Sequence, residues 1–358
     1  MIIKLDDSLI DFCGLETNNQ NNLDAFELIS DVRIRGFHFV IASRKLFGLL
    51  GNSKFLSEKS QKLYQKLYQN YTTEIAISNA VDFTMNIVST KQSNTENNKF
   101  IEISDLTNNC FLLRNRLLLE NTVDSSIYDL IVKYYIKRKS LDRIPYDWDV
   151  SMGGGSTTHS EFKRITDENL TYTLCVLDSD KISPSSNLGS TASKFITNPI
   201  ITDFGDFFIL PVHEMENLYP TEMISAVSNG IPKFNNNRTI INSLSSVNDC
   251  NSFFYIDLKK GINRYMLYNF NEDCKTYWDE IFSKQGYNTR KCSCDSSTCN
   301  HYLIHPFGRN IANEIIDFSK KIGMKIENSL NSLYQNIWYE IGKLLFEKFC
   351  RPKFMVNF

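Results

Sequence analysis

The chain has 358 residues, with Lys+Arg 39 against Asp+Glu 41 and a formal net charge of -2. That length accommodates two domains and a substantial core, and the near-neutral balance excludes a surface coated in positive charge, though not a local basic groove for nucleic acid. Hydrophobic residues at 42% and charged residues at 22% exclude a disordered or fibrous chain.

Met1-Ile2-Ile3-Lys4-Leu5-Asp6-Asp7 carries acids where a secretion signal carries positive charge. No apolar run approaches the roughly 18 residues needed to span a bilayer, so a cytoplasmic location without a membrane partner is expected. Residues 34–42 read as a Gly-bounded, β-rich strand. Over 56–71, Leu56, Leu63, Tyr64, Leu67, Tyr68 and Tyr71 share one helical face. The polar stretch 91–100 reads as a hairpin loop or a boundary loop, closing an N-terminal α+β unit at 1–108.

From 109 to 270 the rhythm changes. Leu117-Leu118-Leu119 is a strand, and Ile127 to Tyr135 has helical spacing. Asp149 to Met152 is a short strand meeting Gly153-Gly154-Gly155-Ser156, and a helix follows to about Ile165. Thr173 to Leu177 and Phe207 to Val212 are further apolar runs. Strands alternating with helices predict βαβ units and a mostly parallel, Rossmann-like sheet flanked by helices. The third region, 271–358, has an amphipathic pattern over 310–349 that makes one or two helices.

Carboxylates cluster after the apolar runs. Glu120 and Asp124 follow the first, Asp178 and Asp180 another, and Glu214 and Glu216 a third. In a parallel sheet the C-terminal strand ends lie side by side, where open α/β folds place their sites. Six acids there repel one another unless a cation sits among them, and hard divalent ions take carboxylate oxygens. Such a cluster also keeps one carboxyl raised enough to act as a general base. Solvated loop acids or helix caps, with Asp124 as an N-cap, are the competing explanation.

These segments resemble the Toprim domain. Leu118-Leu119-Glu120-Asn121-Thr122-Val123-Asp124 is similar to its first motif, Val150 to Ser156 to its second strand and glycine turn, and Val176-Leu177-Asp178-Ser179-Asp180 to its Asp-x-Asp motif. Val212-His213-Glu214-Met215-Glu216-Asn217-Leu218 and Tyr255-Ile256-Asp257-Leu258-Lys259-Lys260-Gly261 resemble later stretches of OLD-type and related phage-defence Toprim nucleases. The resemblance covers about residues 110–265. Two departures stand out: Asn121 replaces the usual Gly, and the chain has no Gly-x-x-x-x-Gly-Lys-Ser/Thr, whereas OLD enzymes carry their ATPase on the same chain.

The resemblance implies Mg²⁺-dependent (or Mn²⁺-dependent) phosphodiester hydrolysis. It makes Glu120, Asp178 and Asp180 catalytic metal ligands, with Asp124, Glu214 and Glu216 completing the set, and Lys259 the cation on the phosphate. It further implies a cytoplasmic toxic effector of prokaryotic antiviral defence acting on DNA or an RNA such as tRNA, governed by a separate ATPase, and it admits a homo-oligomer. The rival is a catalytically inactive Toprim module that serves in binding. Basic residues such as Lys163-Arg164 and Arg290-Lys291 form no cationic stripe, and Gly153-Gly154-Gly155-Ser156 reads as a tight strand-to-helix turn, with a phosphate cradle at the helix N-terminus as the alternative. His159 and His213 read as structural histidines, outside the site.

Nine cysteines are too scattered for a secreted disulfide scaffold, and a reduced chain is expected. Cys292-x-Cys294-x4-Cys299-x-His301 is the exception. Three thiols and an imidazole make a tetrahedral Zn²⁺ set, with His305 or Cys274 able to replace one member. A loop of free thiols is the alternative.

Overall fold

A computed structural model describes residues 1–12, 20–106, 113–121, 125–246, 250–290, 292–294 and 299–353. The chain forms two compact units. The first comprises Met1–Val176, Asn198–Phe208 and Glu340–Phe358, and the second Leu177–Thr197 and Ile209–Tyr339. The boundaries expected near 108 and 270 fall inside the first and second units respectively.

The first unit contains two four-stranded sheets. One joins β1 (Ile2–Leu5), β2 (Phe39–Ile41), β3 (Thr84–Val88) and β4 (Asn98–Glu102) in the order β2-β1-β3-β4, and every pair is parallel. The expected α+β character of this segment is therefore corrected to α/β. The 91–100 stretch is neither a hairpin turn nor a boundary. Its first part crosses from β3 to the parallel β4, and its last three residues belong to β4 itself. The expected strand at 34–42 shortens to Phe39–Ile41, because α1 (Gln20–Ile34) runs to its first residue. Gly36, at φ 73°, then turns the chain, with Gly36 and Phe37 donating back to the Arg33 and Val32 carbonyls. Helices α2 (Arg44–Gly51) and α3 (Glu58–Gln69) begin at Ser43 and Ser57, whose hydroxyls accept from the Leu46 and Ser60 amides. Leu46, Phe47, Leu63, Tyr64 and Leu67 join Ile3, Leu5, Val40 and Met85 in one buried cluster, each large side chain contributing about 1.5–3 kcal/mol. Helix α4 (Tyr71–Ser78) precedes β3.

The other sheet joins β5 (Arg116–Leu119), β6 (Asp149–Met152), β7 (Thr173–Leu177) and β8 (Gly205–Ile209) in the order β6-β5-β7-β8. β5 is parallel to both β6 and β7, with Leu119 opposite Met152 and Val176. The apolar runs behave as expected of doubly covered parallel strands, since Leu117, Leu118, Leu119 and the whole of β7 are buried. Helices α5 (Ser125–Lys139) and α6 (Thr158–Asp167) follow β5 and β6.

In the second unit α7 (Ser190–Thr197) follows β7. After β8 come α8 (Thr221–Gly230), α9 (Arg238–Ser246), the two-stranded ribbon of β9 (Ile262–Asn263) and β10 (Tyr302–Ile304), and α10 (Arg264–Asn269) and α11 (Glu272–Lys284). Helix α12 (Ile311–Ile322) and the start of α13 (Ser332–Phe349) complete it. The 310–349 pattern thus makes two helices. No helix among the described residues is long and apolar enough to cross a membrane.

Candidate metal centre

Glu120 follows β5 in the first unit. The backbone beside it is the glycine turn: the Gly153 amide donates to the Leu119 carbonyl at 2.7 Å, Gly154 and Gly155 have φ of 75° and 63°, and the position a Cβ would take on Gly155 is 4.0 Å from Glu120 Oε2. A side chain on Gly153 would fall 2.4 Å from Thr158 Oγ1, so the turn holds α6 close to the sheet. Asp124 lies outside the described residues.

In the second unit Glu214, Glu216 and Lys259 meet through their side chains, and Asp178 and Asp180 are tied to the same segment through its backbone. Among the described residues, no three of the predicted carboxylates form a group within metal-sharing distance. Asp178 follows β7 and accepts the Met215 amide at 3.0 Å. Asp180 takes the left-handed conformation, φ 52°, and its amide donates to the His213 carbonyl at 2.8 Å. Ser179 donates to the Val212 carbonyl, so the Asp-x-Asp loop is stitched to the segment carrying Glu214 and Glu216. These two glutamates are buried, at 6% and 2% exposure. Asn217 fixes them from below. Its Oδ1 accepts the Glu214 amide at 3.0 Å, and its Nδ2 donates to the Phe253 and Ile256 carbonyls at 2.6 and 2.9 Å. That ties the Glu-x-Glu segment to the stretch before Lys259.

Lys259 lies in a turn. Its Nζ is 3.1 Å from Glu214 Oε2 and 2.9 Å from Glu216 Oε1. The two remaining oxygens, Glu214 Oε1 and Glu216 Oε2, are buried with no hydrogen-bond partner among the described residues. One ammonium thus serves two carboxylates. Burial and the Glu216 charge raise the Glu214 carboxyl to about 7, against the pull of Lys259. Although burial opposes it, the paired glutamates hold the Lys259 ammonium well above the usual lysine range.

Two further residues belong here. His213, read as structural, sits with its Nε2 3.8 Å from Asp257 Oδ2 and its Nδ1 2.9 Å from the Lys181 carbonyl. Asp257 also accepts from Lys260 Nζ and the Lys260 amide, at 3.0 and 2.8 Å. Despite burial, which raises it, these partners hold Asp257 well below the carboxylate range. Against burial, Asp257 and Glu214 raise His213. Ligand atoms of His213, Glu214 and Asp257 lie within 4.8 Å of one another, spacing suited to a metal ion. Their only signal in the sequence is adjacency, His213 preceding Glu214 and Asp257 standing two before Lys259, and it assigns neither a role.

Cys292, Cys294, Cys299 and His301 form a second such group. Cys274 and His305 stay apart from it, the one 3.1 Å from Ser183 Oγ and the other against the Tyr302 ring. Cys175, Cys274, Cys292, Cys294, Cys299 and Cys350 are all free thiols.

No family model matches the chain. Neither a curated protein nor a solved structure matches it. The α/β fold with parallel sheets therefore rests on the structure itself, and the chemistry of the site on its side chains.

Proposed function

We propose that the chain is a Mg²⁺- or Mn²⁺-dependent nuclease of the Toprim type, hydrolysing phosphodiesters of DNA or of an RNA such as tRNA. It would serve as the effector of an antiviral system whose ATPase is a separate polypeptide. The observation that supports this reading is the pair of buried oxygens on Glu214 and Glu216 that have no donor among the described residues. Buried carboxylate oxygens are costly without a cation or hydrogen bond, and hard divalent ions take oxygen ligands of this kind. Asp178 and Asp180 are tied into the same loop network.

Bound metal supplies Lewis-acid polarisation of the phosphate and a more acidic water. Glu214, raised to about 7 without a cation, would give up its proton on taking one. Lys259 carries positive charge for the phosphate oxygens. Glu120 enters by resemblance to the first Toprim motif, while the geometry that supports the proposal lies in the second unit.

One observation favours the rival binding module: Lys259 already neutralises part of the glutamate pair. Calorimetric titration with Mg²⁺ separates the two, together with plasmid and tRNA integrity in cells expressing the chain or its Asp178→Ala variant. Mg²⁺ binding with cleavage lost in Asp178→Ala is expected. Absence of Mg²⁺ and Mn²⁺ binding by a folded protein overturns the nuclease proposal in favour of the binding module.

A further inference from the structure

The Cys/His group has the dimensions of a filled tetrahedral site. Cys292 Sγ lies 3.4 Å from Cys299 Sγ, and His301 Nδ1 lies 3.4 Å from Cys294 Sγ and 3.6 Å from Cys299 Sγ. With metal–sulfur bonds of about 2.3 Å and metal–nitrogen bonds of about 2.05 Å, the edges of a zinc tetrahedron are roughly 3.8 Å between sulfurs and roughly 3.6 Å between sulfur and nitrogen. All four ligand atoms fall within 4.8 Å of one another. Three thiols and an imidazole around one point select Zn²⁺ over Mg²⁺ or Ca²⁺, which take oxygen.

The group's place in the fold gives it a task. The His301 carbonyl accepts the Arg264 amide at 3.0 Å, and β10 begins at the next residue, pairing Tyr302 with Asn263 and Ile304 with Ile262. Gly261, at φ 69°, lies so near this strand that a Cβ would be 2.2 Å from the Ile304 carbonyl oxygen. Further on, the Phe307 and Gly308 amides donate to the carbonyls of Leu258 and Lys259 at 2.9 and 3.2 Å. The segment leaving His301 thus runs back along the whole turn that presents Lys259.

We propose that Cys292, Cys294, Cys299 and His301 hold one structural Zn²⁺, which anchors the β9–β10 ribbon and so positions Lys259. The positioning half rests on the role given to Lys259 above; the zinc half does not.

The test is elemental analysis of the full chain purified without chelator, for zinc and iron. One zinc per chain is expected, falling at least fivefold in a Cys294→Ser/His301→Ala variant and unchanged in Glu214→Gln/Glu216→Gln. Less than a tenth of an equivalent, iron in place of zinc, or retention of zinc in the Cys/His variant overturns the site. Because such a variant can unfold, zinc is also stripped from the wild-type chain with a thiol-reactive mercurial and chelator, and amide exchange is followed. Faster exchange at 262–263 and 302–304, with α8 unchanged, is expected, and identical exchange in both states overturns the positioning role. Neither readout requires cleavage of nucleic acid, so an inactive protein that carries zinc would count against the nuclease proposal alone.

Discussion

Gly189 and Asp180 are in such close approach that a methyl group at 189 would fall 2.0 Å from Asp180 Oδ2 and 2.5 Å from its Cβ. The Gly189 amide is simultaneously bonded to the Ser179 carbonyl at 2.9 Å, so the backbone cannot retreat without loosening the Asp-x-Asp loop. The absence of a side chain at 189 is what gives the Asp180 carboxylate its place. Gly189→Ala is therefore expected to displace Asp180, weakening Mg²⁺ binding at least tenfold by calorimetry. A variant that is folded and binds Mg²⁺ as tightly as wild type would remove Asp180 from the metal set.

Glu214 sets a pH dependence. Its carboxyl is raised from 4.5 to about 7 by burial and by Glu216, so the folded state holds a proton between these values that the unfolded state has lost. Stability contributed by this group is greatest below pH 4.5 and falls by up to about 3 kcal/mol as pH rises to 7, at 1.36 kcal/mol per unit. A cation must displace the same proton. Mg²⁺ affinity is thus expected to strengthen about tenfold from pH 6 to pH 8, following the ionised fraction of a group titrating near 7. Calorimetry across that range checks it, and Glu214→Gln should flatten the profile.

Lys259→Gln leaves two buried carboxylates without their shared ammonium. Removing one partner of a buried pair costs about 3–5 kcal/mol, and the partial exposure of Lys259 reduces this to about 2 kcal/mol. The loss should be larger at pH 8 than at pH 5.5, where Glu214 is protonated. Millimolar Mg²⁺ should restore most of the lost melting temperature, because a divalent cation replaces the missing charge. Unfolding without any Mg²⁺ effect would speak for the metal-free module.

The first unit offers an independent test. Asp206 receives Lys99 Nζ at 2.6 Å and Lys348 Nζ at 3.2 Å, and the Lys348 ammonium lies 2.9 Å from the centroid of the Phe83 ring. Burial lowers Lys348 from 10.5 to about 8, against the attraction of Asp206. The unfolded chain thus binds more protons between these values, and stability should rise as pH goes from 8 to 10.5, by up to about 3 kcal/mol. Lys348→Met should abolish that rise in urea unfolding. Asp206→Asn leaves two buried ammonium groups facing each other and should cost about 3 kcal/mol at pH 7.

Much of this was legible because short apolar runs ending in acids have few other uses. The strands at 116–119 and 173–177 and a raised carboxyl among the clustered acids follow from that pattern, while the strand at 149–152 is marked by the glycines that end it. The N-terminal sheet was misread because the polar crossing between β3 and β4 has the composition of a hairpin turn, and composition does not encode strand direction. Gly36 does bound the strand, but two residues later than the sequence places its start, because its left-handed backbone ends α1. The contact of His213 with Asp257 joins segments 44 residues apart, which no local spacing in the sequence announces.

The division of the chain also bears on the order in which its units can close during synthesis. Lys348 completes the ion cluster of Asp206, and its carbonyl accepts the Asn115 side chain beside β5. The Cys350 segment bridges back to Tyr146. A nascent chain on the ribosome has the whole of 177–339 in existence before these contacts can form. The first unit, begun at residue 1, is thus among the last parts to close. Until then Lys99 and Asp206 lack the second lysine of their cluster, and a chain stalled before residue 348 has its second unit fully encoded and its first not.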